Sequence, residues 1–194
     1  MRELKREIVV SKGQPPRITY RFAWDEHHFN HNFTMPIATS ITTRLEYQHK
    51  SLMDIIEGLS DLQIRRQVIP GKWSIFENIV HLATYQHAFM VRVEHILDDD
   101  QPQFPRYLAE TDPLFHDNCT KTTREIMQDL IATRRELIDK ILSLHDEQLA
   151  RTGGHPLYGP MDIIHWLHFF VLHESHHLFT IFKLVPGARK ELNK

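Results

Sequence analysis

The chain has 194 residues with 41% hydrophobic and 25% charged side chains, the balance of one globular domain with at most a tail, which excludes a fibrous or wholly disordered protein. A net charge of −2, with no basic run longer than Arg65-Arg66 or Arg134-Arg135, leaves no electrostatic footprint for nucleic acid. The single cysteine, Cys119, excludes an intrachain disulfide and a cysteine-based zinc site.

These features fit a reducing cytoplasm, and the opening MRELKREIVV lacks the apolar stretch of a signal peptide. Residues 1–36 read as a polar, partly irregular arm. Ile8-Val9-Val10 and the run from Ile18 to Phe22 suit short extended pieces around Gly13-Gln14-Pro15-Pro16. His27, His28 and His31 follow in WDEHHFNHNF; a polar arm against the domain or a second subunit is expected ahead of a second metal site.

From residue 37 the pattern turns helical. Ile41, Leu45, Leu52, Ile55, Ile56 and Leu59 recur at three- and four-residue steps, which predicts a first helix over residues 37–59. Residues 60–71 are a loop with a short turn at Asp61-Leu62-Gln63. Ser74 followed by Glu77 is a capping box. It opens a second helix running from Ile75 to about Leu97, with His81 in its middle. Acidic residues oppose the dipole at a helix C-terminus, so Asp98-Asp99-Asp100 is placed in the following loop. Residues 101–121 contain three prolines and the apolar Phe104, Tyr107, Leu114 and Phe115, and form either a lid or a plain crossover. Thr122 or Thr123 caps a third helix, striped by Ile126, Leu130, Leu137, Ile141 and Leu144. RTGGHPLYGP is a turn rich in Gly and Pro, and residues 161–184 form the last helix. Four helices predict an all-α four-helix bundle over residues 37–186, with residues 187–194 as a tail. The last helix carries Asp162, Glu174 and several histidines, so it is expected in the bundle interior and not in a membrane.

That helix holds five of the chain's fifteen histidines: His165, His168, His173, His176 and His177. His173 and His177 lie one turn apart on one face. Three constellations include them. H-E-S-H-H satisfies the zinc-protease motif with Glu174 as base, but such a site needs a third ligand downstream. Only 17 residues follow His177, and their sole acidic residue is Glu191. Glu174-x-x-His177 suits a carboxylate-bridged di-iron bundle, which needs a second such motif; the second helix offers only Glu77 and His81, four residues apart. His81 with His173 and His177 makes a three-histidine site with open coordination positions, acceptable to zinc, nickel or iron, and is preferred. Glu77, one turn before His81, is a candidate general base whose simpler role is the capping box. Glu174 is a candidate to orient a ligand histidine or reach solvent. Tyr85 and Trp166 either line a pocket or are core.

GKWSIFENIVHLATYQHAFMVR and, further on, YGPMDIIHWLHFFVLHESHHLFTIFKL resemble the DinB/YfiT-like superfamily. The likeness runs from about Ile37 to Pro186 and rests on the Trp-Ser before the second helix, the His-Leu within it and the final H-x-x-x-H. It implies an up-down-down-up bundle with a long crossover between the second and third helices. It also implies a divalent metal on one histidine of the second helix and two of the fourth, which match His81, His173 and His177. Activities within the superfamily differ. Some members resemble thiol S-transferases using bacillithiol, mycothiol or glutathione, one branch isomerises maleylpyruvate, and others carry the label of metal-dependent hydrolase. The resemblance thus implies a metal-dependent enzyme activating a low-molecular-weight thiol or a water, acting on a small electrophile or a hydrolysable substrate, without nucleic acid or membrane. A homodimer, and a non-catalytic metal-binding sensor, remain alternatives. The 36-residue arm departs from the short start usual in the superfamily.

Overall fold

The computed structural model describes residues 37–190 together with the backbone of two earlier strands, β1 (Leu4–Val9) and β2 (Arg17–Phe22). The strands pair antiparallel, Leu4 opposite Phe22 and Val9 opposite Arg17, so the two expected extended pieces are partners in one ladder. They belong to a compact unit, Met1–Thr34, separate from the unit Met35–Lys194. His27, His28 and His31 lie outside the described residues.

The larger unit is a four-helix bundle. Its first arm is α1 (Thr39–Tyr47), a 3-10 turn over Gln48–Lys50 and α2 (Ser51–Ile56). The single helix expected over residues 37–59 is therefore broken. Gln48 causes the break by reaching across to the last helix, where its Nε2 donates to the Val171 carbonyl at 2.9 Å and to Glu174 at 2.8 Å. A short helix, α3 (Asp61–Arg65), follows, opened by a Ser60–Gln63 capping box. Then comes the second arm, α4 (Ile75–Asp98), which includes the Asp98 assigned to loop. Residues 101–121 carry the short helix α5 (Pro113–Cys119) and lead to the third arm, α6 (Thr123–Leu142), capped by Thr122 with Glu125.

After α7 (Asp146–Leu149) the expected Gly- and Pro-rich turn is a β-hairpin, β3 (Thr152–His155) with β4 (Gly159–Asp162). Two glycines let the crossover close against it. A Cβ at Gly154 would fall 2.0 Å from the Gln103 side chain, and one at Gly153 would fall 2.7 Å from Ile96 and Phe104. The fourth arm, α8 (Ile163–Arg189), starts two residues later and ends five residues further on than expected. Met161 and Asp162 belong to β4, and Asp162 caps the helix by accepting from the His165 N–H at 2.8 Å. The helix continues past Pro186, and Arg66 caps its end by donating to the carbonyls of Gly187, Ala188 and Lys190.

α4 runs antiparallel to α8, so that Asn78 meets His177 while Phe89 meets Phe170. It runs parallel to α6: Phe76 shares a cluster with Ile126, and Ile96 shares one with Ile141. The α1–α2 arm is parallel to α8. The directions are up, down, down, up, and the parallel α4–α6 pair requires the long crossover.

The core comes in two halves. One gathers Leu52, Ile79, Leu130 and Ile181, the other Leu45, Phe89, Leu137, Trp166 and Phe170. Each fully buried large side chain contributes on the order of 1.5–3 kcal/mol of transfer free energy. Between the halves lies a polar layer. Arg134 of α6 and Glu174 of α8, 1% and 2% exposed, are ion-paired. The Arg134 Nε donates to Gln86 at 2.5 Å, and its Nη1 donates to the Leu45 carbonyl at 3.1 Å and lies 3.3 Å from His49 Nδ1. All four arms therefore meet on one guanidinium.

Removing either charge strands the other in a dry interior. Glu174→Ala should lower unfolding free energy by about 3–5 kcal/mol, read as a fall in the urea midpoint; an unchanged midpoint would show that the pair carries no stability.

Burial, reinforced by Arg134 and Lys50, pushes the His49 pKa down to about 4, so the folded state holds this imidazole neutral. An unfolded histidine titrates near its ordinary value of about 6.5, so the unfolded chain binds the extra proton. The stability from neutral His49 is present above about pH 6.5 and is lost as pH falls towards 4. Urea midpoints measured from pH 8 to 4 should fall less steeply in His49→Asn than in the wild type; parallel curves would contradict this.

Candidate metal centre

His81 stands on the inner face of α4, and His173 and His177 stand one turn apart on α8 directly opposite. The three rings cluster with centroids 4.4 Å apart for His81–His177, 4.7 Å for His173–His177 and 5.0 Å for His81–His173. Each offers one nitrogen, and these atoms all lie within 4.8 Å of one another, a group that could hold one metal ion. The Nε2 atoms of His81 and His173 face each other at 3.0 Å.

The tautomer of His177 follows from its neighbour. Asn78 Nδ2 donates to the Ser74 carbonyl at 2.8 Å, which turns Oδ1 towards His177 Nδ1 at 2.9 Å. An amide oxygen only accepts, so Nδ1 carries the proton and Nε2 keeps its lone pair. Orientation of a histidine through its second nitrogen is the usual support of a metal ligand.

All three imidazoles are neutral. Burial lowers the pKa of His81 to about 4, that of His173 to about 3 and that of His177 to about 2, with their mutual proximity adding to the effect on the last two. Nδ1 of His81 and Nδ1 of His173 are buried without any partner. Buried polar atoms are seldom left so. Three neutral imidazoles converging within 4.8 Å, one of them oriented through its outer nitrogen, form a donor set that fits a divalent cation.

Aromatic rings wall the cluster. Trp73 lies 5.0 Å from His81 and stacks on Phe115 at 5.4 Å; Tyr107 lies 5.8 Å from His81. Phe115 and Tyr107 come from the crossover, which thus covers the histidines as the lid alternative requires. Tyr85 packs 4.3 Å from His173, and burial pushes its phenol pKa up to about 12. Burial and a hydrogen bond to Asp112 likewise raise the Tyr107 phenol. A hollow of about 730 Å³ reaches the cluster at His173, between α8 and β4, lined also by Phe169, Leu172, His168 and Tyr158.

The remaining candidates fall elsewhere. Glu77 is the capping residue, its Oε2 accepting from both the Ser74 N–H and Oγ at 2.7 Å. Glu174 neither reaches solvent nor bonds a ligand histidine, because Arg134 and Gln48 occupy its carboxylate. Trp166 is closed off from solvent. It is fully buried, donates to the Gly153 carbonyl at 3.2 Å and is core, while Tyr85 is both buried and against the cluster. His165 bonds to Asp162, and His168 and His176 are exposed. Asn78 escapes the sequence reading, and Arg134, which with Arg135 reads as a solvated helix face, is instead 1% exposed. Asn78 sits three residues before His81 on the same buried face, a polar residue where the helical period expects an apolar one; Arg134 gave no such signal.

No helix among the described residues is long and apolar enough to cross a membrane. No curated protein matches the sequence. Among solved structures, the chain is similar to YfiT from Bacillus subtilis, described as a probable metal-dependent hydrolase with an unusual four-helix bundle topology. The TM-score is 0.66 at 21% identity, over 76% of this chain and 85% of that one. It is also similar to TT2238, a four-helix bundle protein, with a TM-score of 0.53 at 17% identity over 73% of this chain and 94% of the other. Both likenesses concern the fold. Residues 44–181 match the DinB superfamily, most of the bundle and all three histidines included, and the chain belongs to that superfamily.

Proposed function

We propose that His81, His173 and His177 hold one divalent metal ion, zinc, nickel or iron, and that the protein is a metal-dependent enzyme for a small substrate. The observation that carries this is the convergence of three neutral imidazoles beside a hollow large enough for a small molecule. The description of YfiT as a probable metal-dependent hydrolase supports it.

Bound there, a divalent ion supplies a Lewis acid that lowers the pKa of a water or a low-molecular-weight thiol. The chain's own groups prepare that position. Asn78 fixes the His177 ring, and Arg134, by holding Glu174, fixes the rotation of α8 on which both its ligands depend. Trp73, Tyr107 and Phe115 shield one side from water, leaving the approach past His173 open to substrate. Glu77 is engaged in the cap of α4 and Glu174 is held by Arg134 and Gln48, so acidification of the nucleophile is assigned to the metal. This favours a nucleophile of intrinsically low pKa, and a thiol is the better candidate than water.

Elemental analysis of the purified protein should find about one divalent ion per chain, and His177→Ala should lose it while His176→Ala keeps it. Full metal retention in His177→Ala would remove the three-histidine assignment. Assayed on a generic electrophile, a panel of low-molecular-weight thiols should reveal thiol-dependent turnover abolished by the same substitution; activity that needs no thiol would favour the hydrolase.

A further inference from the structure

Two guanidiniums are buried in this bundle, and they are treated differently. Arg134 has Glu174. Arg92, on α4, is 9% exposed and has no carboxylate partner among the described residues. Its hydrogen bonds go to neutral groups, from Nη1 to the Tyr85 hydroxyl at 3.3 Å and from Nη2 to the Pro105 carbonyl at 3.1 Å. A guanidinium has five N–H donors, so three have no hydrogen-bond acceptor among the described residues; the rings of Trp166, Phe104 and Tyr85 lie 5.5, 5.6 and 5.8 Å from its central carbon and answer part of the charge. A buried charge without a counter-charge is costly, and its presence asks what answers it.

The position suggests the answer. Arg92 lies 11 residues from His81, three helical turns along the same face of α4, and its side chain turns back towards the histidines. It lines a hollow of about 160 Å³ together with Tyr85, Tyr107, His155, Tyr158 and Phe169. Tyr85 and Phe169 are also the rings that pack on His173, at 4.3 and 6.2 Å. Tyr158 and Phe169 line the large hollow as well, so the small one adjoins the approach to the histidine cluster. A chamber of this size takes one small group, and one positive charge is matched by one negative charge. A planar fork of donors suits a carboxylate. A phosphate dianion would ask for a second buried cation, and the other cation of the lining, Arg106, is exposed.

We propose that Arg92 forms a carboxylate-binding subsite beside the three-histidine centre, so that the substrate is a small molecule bearing a carboxylate that Arg92 anchors while its reactive end lies at His173. The inference rests on the proposed metal centre for what reacts there, but the binding of the carboxylate does not need the metal.

Calorimetric titration with succinate, with its neutral diamide and with inorganic sulfate separates the possibilities, using metal-loaded and metal-stripped protein. Succinate should bind both forms and the diamide neither, with sulfate weaker than succinate. Arg92→Met should weaken succinate binding about tenfold or more, with metal content unchanged, and Arg92→Lys should fall between. His177→Ala should still bind succinate in an Arg92-dependent way, which distinguishes failure of the subsite from failure of the metal centre. The proposal is overturned if wild-type protein binds succinate no better than the diamide, if sulfate is preferred, if binding vanishes with the metal, or if Arg92→Met binds like the wild type. Should Arg92→Met fail to fold, the comparison of succinate with its diamide on wild type and on Arg92→Lys decides.

Discussion

The structure depends on a polar layer that crosses the middle of an otherwise apolar bundle. Its centre is Arg134, which takes Glu174 as ion-pair partner, holds Gln86 and the Leu45 carbonyl, and abuts His49. A buried ion pair of this kind is a weak source of net stability compared with apolar packing. Its consequence here is geometric. Glu174 sits between His173 and His177 in sequence, and a helix that must deliver it to Arg134 must present those two histidines to α4. The same rotation of α8 satisfies both sides of the layer.

The layer also explains why the core is divided. Apolar side chains fill the bundle above and below, and the buried His81, Gln86, Thr133 and Arg134 lie near the division between the two clusters. Bundles commonly build sites from inward-facing residues on facing helices. In this one a single section through the bundle holds a structural charge pair on one side and three uncharged imidazoles on the other. Desolvation is tolerated by the first because the charges are matched and by the second because the charges are absent. Arg92, one level away, satisfies neither condition, which is what marks it out.

Much of this was legible in the sequence where the cause is local. The capping boxes at Ser74–Glu77 and Thr122–Glu125 are three-residue chemistry, and both helices begin where that chemistry puts them. The pairing of His173 with His177 follows from the helical period, and His81 was found because it interrupts an apolar face. What escaped depends on distant partners. The break at Gln48 exists because that side chain reaches Glu174, 126 residues away. The end of α8 at Arg189 is capped by donors that Arg66 supplies from across the molecule. Glu174 reads as the base of a zinc-protease motif because that motif is local, and only its ion pair with Arg134, 40 residues upstream, shows that its carboxylate is taken. Asn78, Tyr85 and Arg92 form a readable series, polar or semi-polar residues on the buried face that carries His81, and their spacing could have identified the wall of the site.

The central claim is that these three histidines share one ion. Its most direct test is a crystal structure of the metal-loaded protein with an anomalous difference map at the absorption edge of the metal. One peak is expected about 2.0–2.1 Å from a ring nitrogen of each of His81, His173 and His177, as for zinc–imidazole bonds, with at least one further coordination position facing the hollow at His173. A peak at any other set of residues, or a closed shell of four protein ligands, would contradict it.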